Sequence, residues 1–124
     1  MLDNKLGYEL NDGFYKKIIN GIEVSISDSS NVDASIILAN KIVELYPSYI
    51  KVISDMISND EWIINWYGNF TSDEVIKKLN EPKFLIWEKG GLLTYCNHEF
   101  DDVHLLDIEF GGAFEKFYSI GMDG

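Results

Sequence analysis

Residues 22–46, IEVSISDSSNVDASIILANKIVELY, are the most informative about the fold, because the spacing of their apolar residues changes along the segment. Ile22, Val24 and Ile26 alternate with polar residues, which predicts a β-strand with one buried and one solvated face. From Asp33 onward the apolar residues recur at helical spacing, which predicts an amphipathic helix. A strand followed by such a helix favours a protein in which helices cover a sheet.

The two faces of this helix follow from the same spacing. Its buried stripe is expected to contain Ile36, Ile37, Val43 and Tyr46, flanked by Leu38, Ile42 and Leu45. Its solvent-exposed positions are expected to be Ser35, Lys41 and Glu44. Pro47 lacks a backbone N–H, so we expect the helix to end there or a new helix to begin.

Three further helical segments are predicted after Pro47. Residues 49–57 repeat the helical spacing, and Ser54 is expected on the outward face of this second amphipathic helix. Residues 60–67 form a short helical segment that places Trp62 and Trp66 on one side. Thr71 and Glu74 have the spacing of a capping box, which predicts a helix that runs to about Leu79.

Strands are predicted on both sides of the helices. In the N-terminal region, Asp12-Gly13 and Asn20-Gly21 are typical of type I′ turns and separate strands at residues 6–10, 14–19 and 22–27. In the last third, strands are predicted at residues 83–88, 92–97, 103–110 and 114–122, with turns at Gly90-Gly91, at the acidic residues 99–102 and at Gly111-Gly112. Residues 84–87 are all apolar, which favours a central strand that is covered on both faces.

The sequence therefore predicts one α+β domain that spans residues 1–124. Its antiparallel sheet is built from an N-terminal and a C-terminal meander and packs against a central group of helices. We expect every pair of neighbouring strands to be antiparallel, with no parallel β-α-β unit.

Composition limits the possible partners. The chain has 21 Asp and Glu, 10 Lys and no Arg, which gives a net charge of −11. These acidic residues are distributed along the chain, so the charge belongs to the folded surface, which repels nucleic acid and anionic membranes and attracts basic proteins. The single cysteine, together with a first segment that has no signal-peptide pattern, favours a cytoplasmic protein.

The residues best suited to chemistry are Cys96, His98, His104 and Asp107. Their spacing does not match a recurrent zinc motif, although convergence across a hairpin is open. A nucleophilic cysteine would need nearby positive charge, whereas Cys96 is surrounded by carboxylates. We expect no metal, no cofactor and no catalytic residue, and hence a protein that is not an enzyme.

The tryptophan pair and the carboxylates around it form the candidate binding surface. Aromatic residues in acidic surroundings are suited to anchoring a basic partner, although a tryptophan pair at helical spacing can equally close a core. The predicted partner-binding residues are Asp55, Asp60, Glu61, Trp62, Trp66, Asp73, Glu74, Glu99, Asp101 and Asp102.

The C-terminal sequence Leu105-Leu106-Asp107-Ile108-Glu109-Phe110, followed by Phe117-Tyr118 and Met122-Asp123-Gly124, resembles the closing hairpin of small bacterial domains encoded beside secreted toxins. The chain as a whole resembles immunity proteins of polymorphic-toxin and contact-dependent inhibition systems. This resemblance implies a cytoplasmic inhibitor that masks the active site of a basic toxin, such as a nuclease, and it assigns no individual residue. The alternative is a small-molecule-binding or regulatory domain whose pocket lies between sheet and helices, with Trp87 or Tyr95 in its wall.

Overall fold

The computed structural model describes residues 4–123 as one eight-stranded sheet with three helices on one face, an α+β fold. The strands lie in the sheet in the order of the chain: β1 (Asn4–Lys5), β2 (Tyr8–Asn11), β3 (Phe14–Ile19), β4 (Ile22–Ser27), β5 (Pro82–Trp87), β6 (Gly90–Tyr95), β7 (Leu105–Gly111) and β8 (Lys116–Asp123). The helices are α1 (Val32–Ser58), α2 (Glu61–Tyr67) and α3 (Ser72–Lys78). The predicted arrangement of two meanders around central helices is confirmed.

The junction between the two meanders differs from the prediction. β4 and β5 are parallel, with Val24 opposite Phe84, whereas every other neighbouring pair is antiparallel. The helices connect these two strands. They return the chain along one face of the sheet, so that β5 begins at the same end of the sheet as β4. The expectation of an entirely antiparallel sheet was therefore wrong at this one junction.

The N-terminal turns are those that the sequence predicts. Asp12, Gly13, Asn20 and Gly21 all have positive φ, between 52° and 82°, as a type I′ turn requires. A further turn at Leu6 and Gly7 joins β1 to β2, so the first predicted strand begins later than expected and is preceded by a two-residue strand.

Helix α1 continues through Pro47, contrary to the predicted break. Buried residues lie on both sides of the proline, including Tyr46 and Ile53, so packing on the sheet stabilises a helix that has lost one backbone hydrogen bond. The predicted faces need three corrections: Ile37 is 72% exposed, whereas Ser35 and Ser54 are fully buried. The Ser35 hydroxyl donates to the Asn31 carbonyl at 2.7 Å, so its burial does not leave the hydroxyl without a hydrogen-bond partner.

The glycine pairs of the last third lie partly inside strands. The hairpin between β5 and β6 turns at Glu88 and Lys89, and Gly90 and Gly91 belong to β6. A Cβ on Gly91 would lie 2.6 Å from the Leu85 carbonyl oxygen, so this glycine allows close packing rather than a turn. Gly111 likewise ends β7, and the turn that follows begins at Gly112.

The core lies between the helices and one face of the sheet. Val24, Phe84, Leu93 and Ile108 are buried there, in neighbouring strands. On the opposite face Leu85 and Trp87 are only half-buried, so β5 is not covered on both sides as predicted. Within residues 4–123 no helix is both long enough and apolar enough to cross a membrane.

Candidate functional site

Helix α2 holds its two tryptophans in solvent. The Asp60 carboxylate caps the helix by accepting a hydrogen bond from the Ile63 N–H at 3.0 Å. Ile63 is the one residue of α2 that is fully buried, while Trp62 and Trp66 are 69% and 59% exposed. Their ring centroids are 6.3 Å apart, so the predicted placement on one side is confirmed. The predicted alternative, that the pair closes the core, is wrong.

Residues 97–104 form a loop that supports α2 from the side. The Tyr67 hydroxyl donates to the Asp101 carboxylate, which also pairs with His104 Nδ1 at 2.8 Å. The Asp101 carboxylate further accepts hydrogen bonds from the backbone N–H groups of Val103 and His104. The His104 ring lies edge-on to Trp66 at 6.2 Å. Asp101 therefore connects the loop to the helix that bears the tryptophans.

This network changes the acidity of two of its members. Burial alone would raise the pKa of the Asp101 carboxyl, but hydrogen bonds from Tyr67 and His104 outweigh it and hold that pKa well below its ordinary value. Burial and the adjacent Asp101 carboxylate raise the pKa of Tyr67 to about 12. At neutral pH the pair is thus a phenol that donates to an ionised carboxylate.

A groove lies between α2 and the edge strand β8. Its volume is about 260 Å³, and its walls include Trp62, Trp66 and Tyr67 on one side and Ile120 and Met122 on the other. A shallower depression continues from it toward the beginning of β8. Ile120 and Met122 were not predicted as site residues. Their alternation could have indicated a strand face, but nothing local in the sequence places that face beside α2.

The acidic residues are spread along the chain, but the absence of lysine from two long segments near this region makes the net charge there strongly negative. The two longest stretches without lysine, residues 52–76 and 90–115, hold 11 of the 21 acidic residues. The other ten acidic residues are equal in number to the ten lysines, so these two stretches account for the whole net charge of −11. The contact between Tyr67 and Asp101 joins one stretch to the other. All ten predicted partner-binding residues fall within them.

Four of the predicted carboxylates have structural partners. Asp60 caps α2, and Glu74 completes the predicted capping box by accepting from the Thr71 N–H at 3.0 Å. Asp55 accepts a hydrogen bond from Ser72 and lies 3.6 Å from Lys51, and these contacts lower its pKa. Asp101 is held in the loop network described above.

The remaining predicted carboxylates are more open. Asp73 makes one long ion pair with Lys51 at 3.9 Å, and its side chain is largely exposed. Glu61, Glu99 and Asp102 are exposed, and within residues 4–123 their carboxylates have no hydrogen-bond or ion-pair partner. These three carboxylates can meet a partner without loss of a contact that stabilises the fold.

The candidate chemical residues do not converge. Cys96 follows β6 and borders the uncovered face of the sheet, near Lys83. His98 is buried in the loop, where its Nε2 lies 2.7 Å from the His104 carbonyl oxygen, and His104 pairs instead with Asp101. Among the residues that the structure describes, no three His, Cys, Asp or Glu side chains are grouped to hold a metal ion.

The predicted alternative pocket has a different lining. Tyr95 is fully buried and its hydroxyl is hydrogen-bonded to that of Tyr46, so it borders no open cavity. Trp87 lies on the other face of the sheet from the groove at α2. A cleft between helix and sheet does exist, but neither of the two predicted residues lines it.

No family model matches this chain, and the searches of curated proteins and of solved structures each found no significant match.

Proposed function

We propose that this protein is an immunity-type binding protein that neutralises a basic toxin domain by covering its active site. The observation that supports this proposal most directly is the exposure of Trp62 and Trp66 in an acidic stretch of the chain that contains no lysine, residues 52–76. Two exposed tryptophans on one short helix cost solvation free energy that a folded protein ordinarily avoids. A partner that buries them provides the compensating gain.

The net negative charge of the protein indicates a basic partner. An enzyme that acts on nucleic acid must be basic where it holds the phosphates, so an acidic protein competes for the same cleft. The field of a net charge of −11 accelerates encounter with such a cleft. The proposed target is therefore a basic toxin such as a nuclease, and the proposed compartment is the cytoplasm, where the toxin would act.

The two kinds of residue have different parts in this proposal. Buried aromatic residues at the centre of an interface contribute mainly by slowing dissociation. Exposed carboxylates at the rim contribute mainly by accelerating association, and their effect weakens as salt screens it. Trp62 and Trp66 are the proposed anchors, and Glu61, Glu99 and Asp102 are the proposed rim.

The first test uses a growth assay. A basic toxin domain encoded beside the gene is expressed with this protein, and survival of the cells is measured. We expect Trp62→Ala with Trp66→Ala to abolish protection. The control is Phe14→Ala with Ile18→Ala, which removes two exposed apolar residues from β3 and should leave protection intact. Equal protection by both double variants would refute the proposed anchors.

The second test measures association by stopped flow over a salt series. Neutralising Glu61, Glu99 and Asp102 together should slow association and flatten its salt dependence. The control carries Asp12→Asn, Asp28→Asn and Glu44→Gln, an equal change of charge at exposed positions outside the acidic region. If both triple variants have the same association rate and salt dependence, the three proposed rim carboxylates contribute no more to association than other surface charges. If association is independent of salt throughout, a neutral small molecule becomes the better candidate for the groove.

A further inference from the structure

The two edges of the sheet differ in how they are protected. Exposed edge strands invite pairing with other chains, and proteins discourage this with short strands, lysines, prolines or bulges. At one edge, within residues 4–123, β1 consists of two residues, one of which is Lys5. At the other edge β8 has eight residues. Within residues 4–123, β8 pairs with β7 alone, so its outer side is unpaired.

The protective features of β8 are confined to its beginning. Lys116 is its first residue, and the bulge lies at Tyr118, between the pairs that Phe117 and Ser119 form with β7. From Ser119 to Met122 the strand has no lysine, no proline and no bulge. This unprotected half is the part whose Ile120 and Met122 line the groove at α2.

We propose that this half of β8 pairs with an extended segment of the basic partner, in which Lys or Arg alternates with apolar residues. This proposal rests on the proposed function, because it takes the partner to be a basic protein. A strand added outside β8 places alternate side chains on the two faces of the sheet. The apolar side chains then enter the groove beside Trp62 and Trp66, and the basic ones lie on the opposite face.

The opposite face is suited to basic side chains. Next to β8 it presents Asp107 and Glu109 of β7, which lie opposite Gly121 and Ser119. The Asp107 carboxylate accepts a hydrogen bond from the Thr94 hydroxyl at 2.6 Å, and Glu109 is exposed. Because Gly121 and Ser119 are small, they do not screen these two negative charges from a strand outside the sheet. An added strand lies about 10 Å from β7, two strand spacings away, a gap that long Lys and Arg side chains bridge. The described residues that line the groove include Asp60 and Glu61, and none of them is a lysine.

A second copy of this chain fits the edge less well. Two chains that each carry a net charge of −11 repel, and pairing β8 with β8 would place the two β7 strands and their carboxylates about 14 Å apart, three strand spacings, with no added positive charge between them. Charge complementarity therefore selects a basic strand over a dimer.

The experiment uses the acetylated and amidated peptide KVKLKVKLK and the full-length protein. Binding is followed by tryptophan fluorescence and by hydrogen exchange of the β8 amides. In one version of the peptide the Val and Leu amides are N-methylated, and in the other the Lys amides are. Alternate residues of a strand direct their N–H groups to opposite edges. Pairing with β8 therefore uses either the Lys amides or the Val and Leu amides of the peptide, but not both. We expect one version to bind about tenfold more weakly and the other to bind as the parent does.

A protein variant tests the same point. A Cβ on Gly121 meets nothing within 4 Å, so Gly121→Lys introduces an edge lysine without a steric conflict. It should weaken binding of the peptide about tenfold, by repelling its lysines and obstructing the edge. Asn11→Lys, an equal charge change on β2, should have little effect.

The outcomes separate this inference from the proposed function. Equal binding of both N-methylated peptides, or no saturable binding of the parent at millimolar concentration, overturns strand pairing. A toxin that requires Trp62 and Trp66 but binds Gly121→Lys normally also overturns it, and leaves the proposed function standing. Self-association of the protein through β8, detected by sedimentation, would replace the basic strand by a second copy. Selective loss with one N-methylated peptide and with Gly121→Lys supports the pairing.

Discussion

Helices α1 and α2 are both rich in apolar residues but use them in opposite ways. The 27 residues of α1 lie across the sheet and bury nine side chains, including Ile42 and Ile53. The seven residues of α2 bury Ile63 alone and leave both tryptophans in water. A helix of seven residues has little stability of its own, so α2 depends on its cap and on the contact between Tyr67 and Asp101. Helix α1 therefore maintains the fold, whereas α2 is held in place with its two aromatic rings exposed.

The largest expected effect on stability is in α1. Ile53→Ala removes a fully buried side chain and should lower the free energy of unfolding by about 3 kcal/mol, because a cavity remains. Ile37→Ala is the matched control in the same helix, and its effect should stay within about 0.5 kcal/mol, since Ile37 is exposed. Urea unfolding measures both. Similar losses for the two variants would contradict the assignment of the buried face.

The next effect concerns the support of α2. Asp101→Asn weakens the hydrogen bonds from Tyr67, His104 and Val103 and should destabilise the protein by about 2 kcal/mol at neutral pH. Asp102→Asn, at the exposed neighbouring residue, is the control and should have almost no effect. If neither substitution changed the free energy of unfolding, the contact between α2 and the loop would not contribute to stability.

The effect of Asp101 has a defined pH dependence. Its pKa is lower in the folded protein than in the unfolded chain, so its contribution is fully present above the unfolded value of about 4. The contribution is lost as pH falls from there toward the folded pKa. Unfolding curves of the native protein and of Asp101→Asn should therefore converge in acid. A difference that is constant with pH would show that the ionised carboxylate is not the stabilising species.

A smaller effect is expected from the cap of α2. Asp60→Ala removes the acceptor for the Ile63 N–H and should cost about 1 kcal/mol, with a change in tryptophan fluorescence as the helix frays. Asp60→Asn keeps an acceptor and should preserve both stability and fluorescence. The two variants also distinguish the capping role of Asp60 from its charge. A partner that requires only a folded α2 will bind Asp60→Asn normally, because that variant keeps the cap and loses the charge.

The smallest effect on stability is expected from Trp62→Ala, at less than about 0.5 kcal/mol, because the ring is mostly in solvent. Its effect on binding to a toxin should be much larger, about 2 kcal/mol. Calorimetry of binding and urea unfolding of the same variant give both values. A large loss of stability would show that Trp62 stabilises the fold, as the buried residues of α1 do, and would contradict the difference between the two helices.

Local patterns predicted the parts of the fold that local chemistry determines. The type I′ turns, the capping box at Thr71 and the alternation of Leu106, Ile108 and Phe110 all act between near neighbours, and the structure has them. The parallel junction and the continuity of α1 through Pro47 depend on contacts between distant segments. Those contacts outweigh the local preference for a break at proline, and no pattern around residue 47 contains them.

The candidate site was predictable to a similar extent. The spacing of Trp62 and Trp66 placed them together, and the sequence already contains the two lysine-free stretches. It could not assign exposure to the tryptophans, because a helix that covers a core has the same spacing. Nor could it separate the carboxylates that hold structure, such as Asp60 and Asp101, from those that are open, such as Glu61.

The parallel junction also governs the order in which the chain can fold during synthesis. Val24 must wait for Phe84, its partner 60 residues later in the sequence. At a synthesis rate of about 5 to 20 residues per second, β4 has no partner on that side for roughly 3 to 12 s. During this time the N-terminal hairpins can form, but β4 remains an unpaired edge rich in apolar residues. Newly made chains are therefore most exposed to aggregation before β5 leaves the ribosome, and the helices that are made in between can cover only the apolar face of β4, not its open edge.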